Sequence, residues 1–433
     1  MKDSKEKGAI AVIGGGISGL LPAYYLSKSG YDVKVFEAKN TLGGWIVTEN
    51  SEVAPLEWGP NSLLVTEDWK NLLRELEVSP IYVNSKLRSR FIWKDGRKYE
   101  LPLSPINFLT SSLLSASTKW KLILSLFKAH KVSEEDLSVR DFFGRIFPED
   151  VVEDIINPFL GGIYAGDDRE LSAAACFPIL FDQIKGGSNL LRALRVIKSG
   201  SKHRARPASF KNGMRELIEA LKSKMLPKFC LGSRIVNIEK GAHRRWRLEC
   251  ETESFEFDAL IFATPAVTTS EISRGILDER DREFLKSICY QDMMVWHTVW
   301  KKPDDFQPGY GCLIPRREDM KILGSLWVSE MFPSRFASGL LVSAQFYSGE
   351  RIPKDLEVEL EVLNRILGTT GAPILSVSKR LNHALPQFGL GHRERVAELR
   401  KRLPPNVFVA GNYLDGVGLN SVMKTTQELI KSF

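Results

Sequence analysis

The chain has 433 residues, of which 43% are hydrophobic and 26% charged, with a formal net charge of +7. That is ordinary globular composition with length for two or three domains, which excludes disordered, fibrous and small disulfide-stapled classes. The positive balance suits an anionic lipid surface or an anionic substrate as well as nucleic acid. No nucleic-acid module is present, and surplus lysine is most often a solvated surface. Five cysteines (Cys176, Cys230, Cys250, Cys289, Cys312) are odd in number without CxxC spacing, which argues against a zinc site or disulfide framework and for a reducing compartment. None of the six histidines is spaced for a metal.

In chain order, the first predicted element is a strand at Ile10–Ile13. Gly14-Gly15-Gly16-Ile17-Ser18-Gly19 follows, and then an apolar helical segment from Leu20 to Leu26. Lysines before an apolar run superficially resemble a signal peptide. Here the run is the glycine turn itself, so no export signal is expected. Gly14 permits a tight turn, Gly16 a close backbone approach to a pyrophosphate, and Gly19 close helix packing on the strand. The helix N-terminus then offers free N–H groups to phosphates. A second strand, Asp32–Phe36, ends in Glu37, an acid spaced to accept the ribose hydroxyls of an adenosine. Strand, turn, helix and acid together predict a dinucleotide site.

Past Glu37 comes Ala38, then Leu42-Gly43-Gly44-Trp45-Ile46, a second diglycine able to bring more backbone to the same cofactor. Glu57-Trp58-Gly59-Pro60-Asn61-Ser62 is a further loop. Asp68–Leu76 reads as a helix, and Arg88–Tyr99 as a hairpin turning at Lys94-Asp95-Gly96. From Leu101 to about Leu190 the chain becomes helical. Leu109, Leu113, Trp120, Leu124 and Phe127 recur at mostly three- and four-residue steps among Lys119, Lys121, Lys128 and Lys131. This fits equally a membrane-surface helix and a core-facing helix with a solvated lysine face. Glycines interleave with aromatics in Asn157-Pro158-Phe159-Leu160-Gly161-Gly162-Ile163-Tyr164-Ala165-Gly166-Asp167, marking a close backbone approach.

Ser199–Arg206 reads as a polar, basic surface loop. A helix is predicted from Phe210 to about Leu221, and strands at Ser233–Glu239, Trp246–Cys250 and Ala259–Ala263. Between about 270 and 380, mixed strands and helices carry Trp296, Trp300, Phe306, Tyr310, Trp327, Phe332, Phe336, Phe346 and Tyr347. Most of these are expected in the core, with some lining a large apolar pocket. Asn406–Asn412 reads as a strand with a glycine exit. Asp415-Gly416-Val417-Gly418-Leu419 then leads into a last helix whose N-terminus can face a ring.

The two glycine pairs, the 57–62 loop and the C-terminal entry resemble flavoproteins of the amine-oxidase superfamily. Gly162-Ile163-Tyr164-Ala165-Gly166-Asp167 with Glu170-Leu171-Ser172 and Phe177-Pro178, and Trp45 where generic amine oxidases usually have arginine, narrow the likeness. Over nearly its whole length the chain resembles the FAD-dependent protoporphyrinogen oxidases. The fold so implied is α/β (α+β). It has an FAD-binding Rossmann-type domain of the amine-oxidase/p-hydroxybenzoate-hydroxylase kind (1–85, 205–268, 381–433), a mixed-sheet substrate domain (86–100, 269–380) and a helical membrane-associating domain (101–204).

The resemblance implies non-covalent FAD, with its diphosphate on Gly14, Gly15, Gly16, Ile17, Ser18 and Gly19 and its ribose on Glu37 beside Ala38. Trp45 and the loop Gly59-Pro60-Asn61-Ser62 would pack on the flavin. Val236 would meet adenine through its backbone, and Asn412, Val417, Gly418 and Leu419 would hold the isoalloxazine end. Arg90 would pair with a substrate propionate. Leu313 and Leu326 would sandwich one pyrrole and Phe346 stack on another, with the Gly162 backbone beside the macrocycle. The residue types fit this chemistry, since aliphatic and aromatic faces bury a ring and arginine binds carboxylate in a fork. Read as bare residues, Arg90 is also consistent with a surface charge, and Leu313, Leu326 and Phe346 with core packing.

The implied reaction is six-electron oxidation of protoporphyrinogen IX, with hydride passing from a methylene bridge to flavin N5 and oxygen as acceptor. No side chain is implied as general acid or base. Alternatives are the same oxidation of coproporphyrinogen III, with its four propionates, a flavin amine oxidase, and a non-catalytic flavin-binding assembly protein. Covalent attachment through a late cysteine is disfavoured, because none follows Cys312. A tetrapyrrole and a membrane surface are the expected partners, on the cytoplasmic side without a signal peptide; a homodimer is left open. One departure stands out: the family more often has a small residue near Thr425.

Overall fold

A computed structural model describes residues 7–102, 105–128, 135–200, 205–225, 228–241, 245–251 and 253–433. The loop predicted at 199–206 lies largely outside the described residues, as does Lys131.

Five parallel strands form the first layer, in the order Phe229–Leu231, Tyr31–Glu37, Lys7–Ile13, Ala259–Phe262, Val407–Val409. The middle strand is a continuous apolar run because both its faces are covered, as parallel sheets require. Helices Ile17–Lys28, Arg215–Lys224 and Leu419–Ile430 pack on one side through Leu20, Leu21, Leu217, Leu221, Val422 and Met423. An antiparallel sheet (Ile235–Lys240, Trp246–Cys250, Ser254–Phe257) covers the other. Segments from both ends of the chain thus share one sheet, and its C-terminal edge gathers the turns after Ile13, Glu37 and Val409.

The second layer is a seven-stranded mixed sheet, ordered Leu375–Pro386, Tyr290–Lys301, Leu340–Ser348, Gly324–Trp327, Gly311–Leu313, Phe91–Lys94, Arg97–Glu100. Its last two strands are the predicted hairpin. Asp95 and Gly96 turn at φ 51° and 76°, the left-handed pair a tight hairpin needs. The strand Leu375–Pro386 runs past residue 381, so the chain leaves this sheet slightly later than the expected boundary. Helix Glu357–Leu367 closes one face of the sheet over Trp296, Trp300, Trp327 and Tyr347.

The described residues between the hairpin and the strand at Arg206 are mostly helical, around Phe142, Phe143, Leu160, Phe181 and Ile184. Asp154, on a π-helical turn (Val152–Ile156), is fully buried and joins these helices to the sheet. It pairs with Lys94 Nζ at 2.9 Å and Arg317 Nη2 at 2.5 Å. Helix Ala116–Phe127 turns much of its apolar stripe away from the core. Leu113, just before it, is buried, but Leu109, Trp120, Leu124 and Phe127 are 54–66% exposed. The core-facing reading does not hold for these four residues. Among the described residues no helix is long and apolar enough to cross a membrane.

Candidate active site

The first glycine turn is tight enough to exclude side chains at two of its positions. Gly14 sits at φ 115°, where an added Cβ would lie 2.6 Å from the Ala263 carbonyl oxygen. A Cβ on Gly19 would meet the Gly14 carbonyl oxygen at 2.0 Å. Gly16 caps helix Ile17–Lys28 without any side-chain cap, so the first N–H groups of the helix stay available to an anion. The second diglycine packs on the first. Gly43 N–H donates to the Gly15 carbonyl at 2.9 Å, and Gly43 and Gly44 both have positive φ. Glu37 stands beside the turn, its carboxylate accepting from Gly15 N–H at 2.8 Å and Lys39 N–H at 2.9 Å. Exposed Ala38 lies between them in sequence.

The segment after Phe229–Leu231 is brought to the same place by Ser233 N–H donating to the Glu37 carbonyl at 2.9 Å. There the ladder shifts between Ile235 and Asn237, leaving Val236 without a register partner on the next strand. At the other end of the chain Gly418 caps helix Leu419–Ile430, again without a side-chain cap, which makes a second uncapped N-terminus. The Thr425 hydroxyl donates to Asp415 Oδ2 at 2.9 Å. The larger residue is therefore used to brace the loop carrying Val417 and Gly418. Asn412 lies half-buried at the start of that loop.

The 57–62 loop is anchored from beneath. Glu57 and Arg335 form a buried pair at 3.1 Å, with side chains 2% and 0% exposed. Glu57 also accepts from Thr48 Oγ1 and Met214 N–H, while Arg335 donates to Ser209 Oγ. His297 Nε2 lies 2.9 Å from the Glu57 carbonyl oxygen, and its ring meets Trp58 edge-on. Burial pushes the imidazole down to about 4, so it is neutral and Nε2 is the donor. Gly59 lets the loop cross Trp45, whose carbonyl oxygen would be 1.8 Å from an added Cβ. Trp45 itself is exposed. Pro60 and Ser62 are half-buried, and Asn61 is buried with its Oδ1 lacking any protein partner among the described residues. A buried acceptor of that kind calls for an external donor.

Register assembles the other wall. Leu313 pairs with Gly324, and Gly324 with Phe346, so these three share a row across adjacent strands. Leu326, two residues from Gly324, points to the same face. Parallel pairing of Phe91 with Cys312 and Ile92 with Leu313 puts Arg90 level with Gly311, at the Leu326 end of that face. The Arg90 guanidinium stacks on Tyr310 at 4.1 Å. Helix Asn157–Tyr164 covers the row from above. A Cβ on Gly162 would lie 3.1 Å from Leu313 Cδ2, so glycine there allows backbone to approach the wall. Ala165 turns left-handed at φ 52°, and its carbonyl accepts from Ser348 Oγ.

The structure therefore brings Arg90, Gly162, Leu313, Leu326 and Phe346 together on one half-open face. The glycine turns, Glu37, Val236 and Gly418 gather at the edge of the parallel sheet. Sequence reasoning missed the Glu57–Arg335 pair and His297. Tyr310 stood only in the list of aromatics, and Arg335 carried no local signal. Among the described residues no group of three or more metal-ligating side chains occurs.

Two uncapped helix ends and stacked glycine turns at the edge of a parallel sheet, with an orphaned acceptor in the loop that crosses Trp45, fit a flavin dinucleotide with its diphosphate, hydroxyl groups and ring. The fold and site thus define a flavin-dependent oxidoreductase. The chain belongs to the flavin containing amine oxidoreductase family, whose model matches residues 17–425, and its cofactor is FAD. Its relatives include protoporphyrinogen oxidase 2, chloroplastic/mitochondrial, of Arabidopsis thaliana, 31% identical and covering 95% of this chain and 90% of the relative. Coproporphyrinogen III oxidase of Bacillus subtilis is 24% identical, covering 97% and 96%. A crystal structure of a protein from Exiguobacterium sp. 255-15 shares the fold with a TM-score of 0.82. It is 21% identical and covers 98% of both chains.

Proposed function

We propose that this enzyme oxidises protoporphyrinogen IX to protoporphyrin IX with oxygen as acceptor. The observation that carries the reading is the half-open apolar face with Arg90, a cation without an acid partner among the described residues, at its end. A porphyrinogen is a wide apolar ring with carboxylate arms, and this face matches both parts. In this reading Gly14, Gly15, Gly16, Ile17, Ser18 and Gly19 hold the FAD diphosphate, Glu37 and Ala38 the ribose, and Val236 the adenine. Trp45, Gly59, Pro60, Asn61, Ser62, Asn412, Val417, Gly418 and Leu419 surround the flavin. The lobes are 1–85, 205–268 and 387–433 for the cofactor, 86–100 and 269–386 for the ring, and the helices between.

When bound, the flavin supplies hydride acceptance and reoxidation by oxygen. The chain's own residues orient and exclude. Arg90 forks onto a propionate and sets which ring edge faces the cofactor. Leu313, Leu326 and Phe346 bury the pyrroles and keep water out, and Gly162 lets the covering helix close down on the macrocycle. No side chain is assigned to move a proton.

The test is anaerobic bleaching of the bound flavin by protoporphyrinogen IX and coproporphyrinogen III in parallel. Faster bleaching by protoporphyrinogen is expected, and Arg90→Ala should raise its KM by about ten- to a hundredfold, the worth of a charge-assisted hydrogen bond. Preference for coproporphyrinogen, the activity named for the Bacillus relative, would move the enzyme to that substrate. Bleaching by neither would remove the substrate reading.

The exposed stripe of Leu109, Trp120, Leu124 and Phe127 supports peripheral attachment to a membrane surface. Binding to anionic liposomes that resists salt and yields to detergent is expected. Failure to bind lipid would overturn the attachment.

A further inference from the structure

On the ring-side face Arg90 has no acid partner among the described residues and stacks only on Tyr310, and exposed Lys379, level with Phe346 through Val295, lies over the Trp58 ring. Lys94 and Arg317 share buried Asp154. Arg97 donates to the Tyr99 hydroxyl at 2.6 Å and stacks on its ring. Arg351 donates to the carbonyls of Met320 and Arg316. Arg316 pairs with Asp167 Oδ2 at 2.8 Å and donates to the Gly166 carbonyl at 2.7 Å.

Arg316 occupies a distinctive place. Arg90 is level with Gly311, at the Leu326 end of the face. The strand then runs through Leu313, and Arg316 follows three residues later, beyond the Leu313–Phe346 row. The two arginines therefore flank opposite ends of the apolar face, one unpaired by acid and one neutralised. Asp167 closes the Gly162–Asp167 motif, so the segment that covers the ring also carries the neutralising charge.

We infer that Asp167 is a specificity-determining residue: by holding Arg316 in an ion pair, it withholds that guanidinium from a second carboxylate edge at the far end of the ring site. The inference rests on the porphyrinogen reading above and deepens it. Protoporphyrinogen IX carries its two propionates side by side, so Arg90 suffices. Coproporphyrinogen III carries propionates on the opposite edge as well. There it meets a neutralised arginine and a nearby carboxylate.

The experiment uses the full-length, FAD-loaded enzyme and reads the ratio of kcat/KM for coproporphyrinogen III over protoporphyrinogen IX. Asp167→Asn frees Arg316 and should raise the ratio by about tenfold, as a charge-assisted bond to carboxylate allows. Adding Arg316→Met to Asp167→Asn should return it to within about twofold of wild type. Arg316→Met alone leaves Asp167 as a bare negative charge and should lower the ratio. It also serves as the deciding variant if Asp167→Asn fails to retain flavin. A ratio unmoved by Asp167→Asn, or by Arg316→Met where that variant decides, overturns the inference while protoporphyrinogen turnover keeps the parent reading intact. A wild type that prefers coproporphyrinogen overturns the inference too, and one reduced by neither substrate overturns both.

Discussion

The two faces of the seven-stranded sheet are built from the same kinds of side chain and end in different states. On one, Trp296, Trp300, Trp327 and Tyr347 are covered by the protein's own helix Glu357–Leu367, through Leu363, Ile366 and Leu367. On the other, Leu313, Leu326 and Phe346 remain half-buried, with Arg90 exposed at their end. Neighbours in sequence, Phe346 and Tyr347, go to opposite faces because strand side chains alternate. The filled face stabilises the fold. The half-open face leaves apolar surface that only a ligand or another layer can bury. A list of aromatics therefore does not separate core from site, whereas burial on each face does.

The comparison predicts unequal costs for truncation. Trp327→Ala, on the filled face, removes a fully buried ring and should cost about 3–5 kcal/mol in chemical denaturation. Acid probes the ring-side face through His297. Its folded value of about 4 lies below the ordinary 6.5, so between these the unfolded chain binds more protons. Stability should fall as pH drops from 6.5 towards 4, by on the order of 3 kcal/mol for this group. His297→Gln should flatten that part of a pH-stability curve, and an unchanged slope would reject the assignment. The smallest effect on folding is expected from Phe346→Ala, roughly 1 kcal/mol, because the ring is already half-solvated. Its kcat/KM for porphyrinogen should nevertheless drop by at least about tenfold, the worth of one well-placed aromatic contact. Equal destabilisation by Trp327→Ala and Phe346→Ala would break the comparison.

Legibility followed the range of the interactions. The turn from Gly14 to Gly19, the strand ending in Glu37 and the Asp95-Gly96 hairpin were readable because each is decided by a few adjacent residues. The helix Ala116–Phe127 was readable as a helix, but its direction was not, since an apolar stripe looks the same whether it meets a core or a membrane. Glu57–Arg335, Arg90–Tyr310 and Asp167–Arg316 left no pattern, because each pairs residues far apart in the chain.

The sequence by itself determined the cofactor half of this protein. Glycines that must be glycine, helix starts without caps and an acid at the end of the second strand are backbone requirements, and backbone requirements are written locally. Only the tertiary structure decided the substrate half. Strand register chose which aliphatic and aromatic side chains share the open face, and packing between the helices and the sheet gave Arg316 its acid partner Asp167 while Arg90 has none among the described residues. Both depend on contacts across hundreds of residues, where burial and charge pairing outweigh any local preference.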